Sequence, residues 1–169
     1  DPVTAGWIIT DGKELSRSAS TGDIFSKEIY DDFELEFEFK IAEGSNSGVK
    51  YRFADYGGQR IGAEYQVLDD ARHPDGKRGA DRLTAALYDV IPAYEEKAAK
   101  PIGDYNQARV VARGARIQHY LNGKLVLDID QDTDSWRDAL ENSKFNKAKD
   151  FARNPGRIML QDHGDPVWF

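Results

Sequence analysis

Asn46, Lys50, Arg52, Glu64 and Gln66 combine an acid, two bases and two amides on two neighbouring segments, each alternating with apolar residues. An alternating segment reads as a strand with one wet face. The five side chains therefore share a surface if the two strands pair across the Tyr56-Gly57-Gly58 turn. Mixed donors and acceptors suit a hydroxyl-rich ligand, while cross-strand ion pairs such as Arg52 with Glu64 explain the charges equally well. A second cluster, Gln161-Asp162-His163-Gly164-Asp165, lies at the end of a predicted strand, where a glycine-containing turn can present it to a groove. His163 is its natural titrating group. His119 is a possible groove residue, although Ile117 and Leu121 share its alternating face and point it towards a core.

Glu64 with Asp69 and Asp70 offers the carboxylates of a conventional glycosidase, which must stand about 5–5.5 Å apart for retention or about 6.5–9.5 Å for inversion. The outward positions read Glu64, Gln66, Leu68, so strand spacing alone does not build that pair. Asp69, Asp70 and Asp75 are conceivable calcium ligands, but they lack the spacing of an EF-hand loop. No metal or cofactor is otherwise expected. The chain has no Walker loop, Gly-x-Gly-x-x-Gly, His-Glu-x-x-His or Gly-x-Ser-x-Gly, which leaves nucleotide, zinc-protease and serine-hydrolase chemistry without a motif.

The elements that must position these residues are mostly strands. Phe33 to Ile41 alternates apolar and charged residues without a break, and its Glu34, Glu36 and Glu38 read as a solvated convex face. Strands follow at 47–53, 63–68, 108–113, 116–121, 124–129 and from Arg157. Asn122-Gly123 supplies a type I′ hairpin turn. The stretches 69–82 and 92–104 are long polar loops around a short apolar segment at 83–91, and such loops commonly rim sites. Residues 135–151 carry Trp136, Leu140, Lys144 and Ala148 at helical spacing, with Asp134 as the cap, and predict one short helix. Many short strands with one late helix argue for an all-β sandwich of two antiparallel sheets and against alternating βαβ units.

With 169 residues, 40% of them hydrophobic, the chain suits one domain spanning 1–169. A net charge of -7 and the lack of a long Lys/Arg run exclude nucleic acid as a partner. The chain has no cysteine and so no disulfide or thiolate site. No apolar stretch approaches the ~20 residues of a membrane span.

As an ordered set, Asp11-Gly12-Lys13-Glu14-Leu15, Tyr30-Asp31-Asp32-Phe33-Glu34-Leu35, Asn46-Ser47-Gly48-Val49 and Glu64-Tyr65-Gln66-Val67-Leu68-Asp69-Asp70 resemble the 3-keto-disaccharide hydrolase domain family. Ala86-Leu87-Tyr88, Arg116 to Gly123 and Leu160-Gln161-Asp162-His163-Gly164 continue the resemblance. Two departures are Ala85, where a glycine is usual, and Tyr105-Asn106, where Trp-Asn is usual. The resemblance implies a concanavalin-like jelly roll, export from the cytoplasm, and a closing strand beyond Phe169. It implies cleavage of glycosides whose sugar carries a ketone at C3: the ketone acidifies the C2 proton, a base removes it, and the C1 oxygen leaves. Under that reading Glu64 and His163 form the acid/base pair in either order, Arg52 donates to the keto or enolate oxygen, and Asn46, Lys50, Gln66, Tyr88, His119 and Gln161 bind the sugar. A non-catalytic carbohydrate-binding module and a conventional two-carboxylate glycosidase are the alternatives.

Overall fold

The computed structural model describes residues 6–17 and 22–169. Eleven strands run in chain order: β1 Trp7–Thr10, β2 Glu14–Arg17, β3 Ile24–Phe25, β4 Phe33–Ile41, β5 Asn46–Asp55, β6 Arg60–Leu68, β7 Asn106–Arg113, β8 Arg116–Leu121, β9 Lys124–Asp130, β10 Arg157–Leu160 and β11 Val167–Trp168. They form a seven-stranded sheet in the order β1-β2-β11-β4-β7-β8-β9 and a four-stranded sheet in the order β3-β10-β5-β6. The named pairings are all antiparallel.

The alternation of β4 dictates its placement. Phe33, Leu35, Phe37, Phe39 and Ile41 turn inward, while Glu34, Glu36 and Glu38 stay exposed. Val49 and Tyr51 of β5 and Ala63, Tyr65 and Val67 of β6 close the core from the other sheet. Phe37 meets Tyr65 edge-on at 5.4 Å, an arrangement that the ring quadrupoles favour. The β8–β9 turn has Asn122 at φ 49° and Gly123 at φ 80°, the positive pair that a type I′ turn requires.

Two local features depart from the sequence expectation. The helix α1 is shorter, Asp134–Glu141, and its cap is Thr133, whose side chain accepts from the Trp136 amide. Beyond it the chain continues in turns that still bury Phe145, Ala148 and Phe151, so the apolar residues are core but not helical. Strands β1, β2 and β3 were not anticipated, because they are short and lack a run of alternation. The segment 83–91, expected as a short apolar stretch, forms no strand of its own. It follows the free edge of β6 instead, through bonds from the Ala85 amide to the Gln66 carbonyl (2.9 Å) and from the Tyr88 amide to the Glu64 carbonyl (3.1 Å).

Ala85 takes φ 67° and is fully buried. A β-carbon on such a left-handed backbone costs roughly 1–2 kcal/mol, a strain that glycine would not carry. No helix among the described residues is long and apolar enough to cross a membrane.

Candidate active site

Five segments meet over the outer face of the four-stranded sheet. Strand β5 presents Asn46 and Lys50, β6 presents Glu64 and Gln66, and the edge segment presents Tyr88. The turn after α1 brings Lys144, and the loop after β10 brings Gln161 and His163. These eight side chains line a cavity of about 60 Å³. Seven of them are the residues that the sequence singled out.

The local register explains the convergence. Lys50 stands opposite Glu64, and Gly48 opposite Gln66. A β-carbon on Gly48 would lie 2.4 Å from Glu64 Oε1, so the bare backbone at this position is what lets the Glu64 carboxylate fold across the sheet. The loop after β10 is tied at both ends. The Gln161 amide donates to the Gly48 carbonyl (2.9 Å), and the Ser47 hydroxyl donates to the Gln161 carbonyl (2.8 Å). Asp162 pairs with Arg17 and accepts from the Gly22 amide (2.9 Å), while Asp165 accepts from the Asn46 amide (3.0 Å). These two acids hold the turn that presents His163.

Glu64 is only 5% exposed. Burial pushes its carboxyl above the ordinary 4.5, and the opposing charges of Lys50, Lys144 and His163 do not fully offset that. Lys50 Nζ lies 3.5 Å from Glu64 Oε2. The Gln161 side chain bridges the two when its amide is turned to satisfy both, with its nitrogen 3.2 Å from Glu64 Oε1 and its oxygen 3.2 Å from Lys50 Nζ. The expected partner of Glu64 was Arg52; the observed one is Lys50.

Two neighbours remain uncommitted. Asn46 is 4% and Gln66 1% exposed, yet Asn46 Oδ1 and Gln66 Nε2 have no hydrogen-bond partner. Buried polar atoms are nearly always paired. An unmatched acceptor and an unmatched donor beside one cavity have the capacity to pair with a group that both donates and accepts, as a hydroxyl does.

The opposite wall is a charge network. The Tyr88 hydroxyl donates to Asp75 (2.8 Å) and accepts from Arg82 (2.8 Å), and burial, followed by the Asp75 contact, raises it above the ordinary phenol value. Arg82 also pairs with Asp89, whose other oxygen accepts the Lys144 backbone amide at 2.7 Å. Asp89 thereby clamps the turn after α1 onto the Tyr88 segment. The Lys144 ammonium lies 4.3 Å from the Tyr88 ring centre.

Two expected site residues lie elsewhere. Arg52 sits in a β-bulge, where the β5–β6 register slips between Tyr51 and Ala54, and its φ is 48°. A bulge re-aims the side chain that strict alternation would place on the wet face. The Arg52 guanidinium is buried and donates to the carbonyls of Gly114 (2.9 Å), Ala152 (2.8 Å) and Asp31 (3.3 Å). His119 lies fully inside the core. Its Nδ1 faces the Ala85 carbonyl at 2.8 Å and therefore carries the proton, leaving Nε2 to accept from the Tyr51 hydroxyl at 2.8 Å. Burial lowers its pKa to about 4 and keeps the ring neutral.

The calcium candidates do not converge either. Asp69 accepts from the Gly44 amide (2.8 Å), Asp70 from the Thr84 amide and Lys97 (2.7 Å each), and Asp75 from Tyr88 and Arg78. Burial raises the Asp69 carboxyl, but the amides of Gly44, Arg72 and Ala71 and the Arg72 charge outweigh it and hold it low. Among the described residues no three His, Asp or Glu side chains gather as a metal shell.

Lys144 was missed as a site residue. Its helical spacing with Trp136 and Leu140 suggested a helix face, and nothing local to it records that the helix stops at Glu141.

The fold is a two-sheet antiparallel jelly roll, with a small polar pocket on the outer face of its smaller sheet. The chain belongs to the 3-keto-alpha-glucoside-1,2-lyase-like domain family, which it matches over residues 2–169, and with it to the carbohydrate-cleaving enzymes. It is 35% identical to the 3-keto-disaccharide hydrolase of Bacteroides thetaiotaomicron, an alignment that covers 100% of this chain and 69% of that protein. A crystal structure from Parabacteroides distasonis, provisionally named a glycosyl hydrolase, superposes with a TM-score of 0.84 at 25% identity, covering 96% of this chain and 79% of the other. The carbohydrate-binding module CBM66 of Bacillus subtilis shares the fold at a TM-score of 0.58 and 19% identity, covering 96% and 85%.

Proposed function

We propose that the pocket cleaves 3-keto-glycosides by elimination across C1 and C2. Glu64 takes the C2 proton, and the C2–H electron pair moves into an enolate with its charge on the C3 oxygen. The enolate then expels the C1 oxygen, which leaves as an alcohol after taking a proton from His163 at the rim. The products are an unsaturated 2-hydroxy-3-keto sugar and the free aglycone, and later addition of water across C1=C2 gives the net hydrolysis. Asn46 and Gln66 receive ring hydroxyls, and Gln161 and Lys50 hold the Glu64 carboxylate in place.

The observation that carries this reading is the single carboxylate. Among the eight lining residues only Glu64 is acidic, whereas a conventional glycosidase needs two at a fixed separation. Elimination needs one base, and burial makes this carboxylate a stronger one. A cavity of about 60 Å³ also accepts the oxidised edge of one ring rather than a whole disaccharide, which leaves the aglycone outside. Carbohydrate is thus the proposed ligand, calcium plays no part in these steps, and export from the cytoplasm belongs to the same proposal.

Incubation with a 3-keto-glycoside and with its unoxidised parent tests the reading. Aglycone is expected only from the oxidised sugar, together with deuterium incorporation at C2 in heavy water. Cleavage of the parent alone would favour conventional hydrolysis, and saturable binding without turnover of either would favour a binding module.

A further inference from the structure

We propose that Lys144 is the catalytic cation that holds the C3 oxygen of the substrate as the enolate forms, an inference that rests on the elimination reading of this pocket. Elimination moves one negative charge. Glu64 is anionic before the C2 proton transfers and neutral after it, while the charge appears on the C3 oxygen. A positive group that serves the transition state must therefore sit where the charge arrives rather than where it starts.

The two pocket lysines divide along that line. Lys50 is committed to the start, 3.5 Å from Glu64 Oε2 and 3.2 Å from the Gln161 oxygen in its bridging orientation. Lys144 has no carboxylate within ion-pair distance among the described residues, yet the residue lines the same cavity. It rests against the faces of Tyr88 (4.3 Å) and Phe145 (5.0 Å). Arg52, the guanidinium expected in this role, is locked onto backbone carbonyls at the bulge.

The support behind Lys144 is rigid. Asp89 grips its backbone amide and also binds Arg82, and Arg82 with Asp75 fixes the Tyr88 ring on which the ammonium lies. Although the residue as a whole is exposed, partial desolvation of the amine outweighs the pull of Glu64 and holds it below the ordinary lysine value. A partly desolvated cation that is not committed to a carboxylate gains when an anion forms beside it.

The test compares Lys144→Met and Lys144→Arg with the wild type on a 3-keto-glycoside. Lys144→Met is expected to lower kcat by about 100–1,000-fold, the usual effect of losing one oxyanion donor, with little change in KM. Lys144→Arg should recover at least a tenth of the wild-type rate, and borohydride should trap no sugar on the protein. Lys144→Met within threefold of the wild type, Lys144→Arg no better than Lys144→Met, or a borohydride-trapped adduct on Lys144 would each overturn the assignment. A wild type that releases no aglycone at all removes the elimination reading itself. The two failures are thus separable.

Discussion

The two outer faces of the sandwich use the same kinds of side chain to different ends. On the seven-stranded sheet Glu34 pairs with Arg109 at 2.7 Å and with Arg113 at 3.7 Å, Gln107 reaches Glu38 at 3.4 Å, and the Arg109 guanidinium stacks 3.8 Å from the Tyr120 ring centre. A cleft of about 470 Å³ runs beside Glu36, Glu38, Gln107 and Tyr120, far larger than the pocket on the other face. Yet Glu34, Glu38 and Arg109 on this face each have a side-chain partner, and Glu36 stands in solvent. On the four-stranded sheet Asn46, Glu64 and Gln66 are buried, and Asn46 Oδ1 and Gln66 Nε2 have no hydrogen-bond partner. Size therefore does not mark the site. What sets the smaller pocket apart is a buried carboxylate beside two partnerless polar atoms, although Ser45 Oγ and Gln131 Oε1 also lack a partner outside it.

The sharpest way to break that comparison is Glu64→Gln. If this carboxylate is the base, kcat on a 3-keto-glycoside falls by about 10²–10⁴-fold while the protein stays folded. Stability should move the other way. The folded pKa lies above the unfolded 4.5, so the folded state binds the proton more tightly. Its contribution favours folding below about 4.5 and is lost as pH rises through the folded value. The Gln variant should therefore match the wild type in Tm at low pH and exceed it near neutrality. In the wild type, the acid limb of kcat should lie above the ordinary carboxylate range. An unchanged rate, or a Tm difference that shrinks with rising pH, would contradict both halves.

How much of this was legible follows from how far each signal reaches along the chain. Alternation is local, so the expectation of Phe33 to Ile41 matches β4 to the residue, and Lys50, Glu64 and Gln66 fall on one face as their parity demands. Arg52 has that same parity and is absent from the pocket, because a bulge adds a residue without leaving a compositional mark. His119 obeyed alternation as well, and its core position follows from Ile117 and Leu121. Asn46 was grouped by residue type on its strand and Gln161 and His163 by the turn at a strand end, whereas Tyr88 was placed by family resemblance alone. Tyr88 reaches the site only because its segment runs along the β6 edge. Lys144 needed a tertiary fact, the Asp89 clamp, that no window of sequence contains.

Arg52 offers a second and smaller effect. Its guanidinium satisfies carbonyls of three separate segments, so Arg52→Met should destabilise the fold by about 2–3 kcal/mol, a fall in Tm of roughly 5–10 °C for a chain of this size. Thermal unfolding measures that directly. Because the side chain does not reach the cavity, kcat of the folded fraction should stay within a few-fold of the wild type. A selective loss of kcat at unchanged Tm would return Arg52 to the site and undo the bulge argument.

The smallest effect belongs to the other face. Glu34 and Arg109 are 39% and 34% exposed at the side chain, where water and salt screen their attraction, so Arg109→Ala should cost only about 0.2–1 kcal/mol. Part of that loss is the stacking on Tyr120, which salt leaves alone. Raising the ionic strength should therefore narrow the difference from the wild type without abolishing it. Turnover of a 3-keto-glycoside should not change, because nothing on this face reaches the eight residues of the pocket. If Arg109→Ala instead lowered kcat or raised KM tenfold, exposure and pairing would no longer separate the two faces, and the larger cleft would have to be counted as part of the working surface.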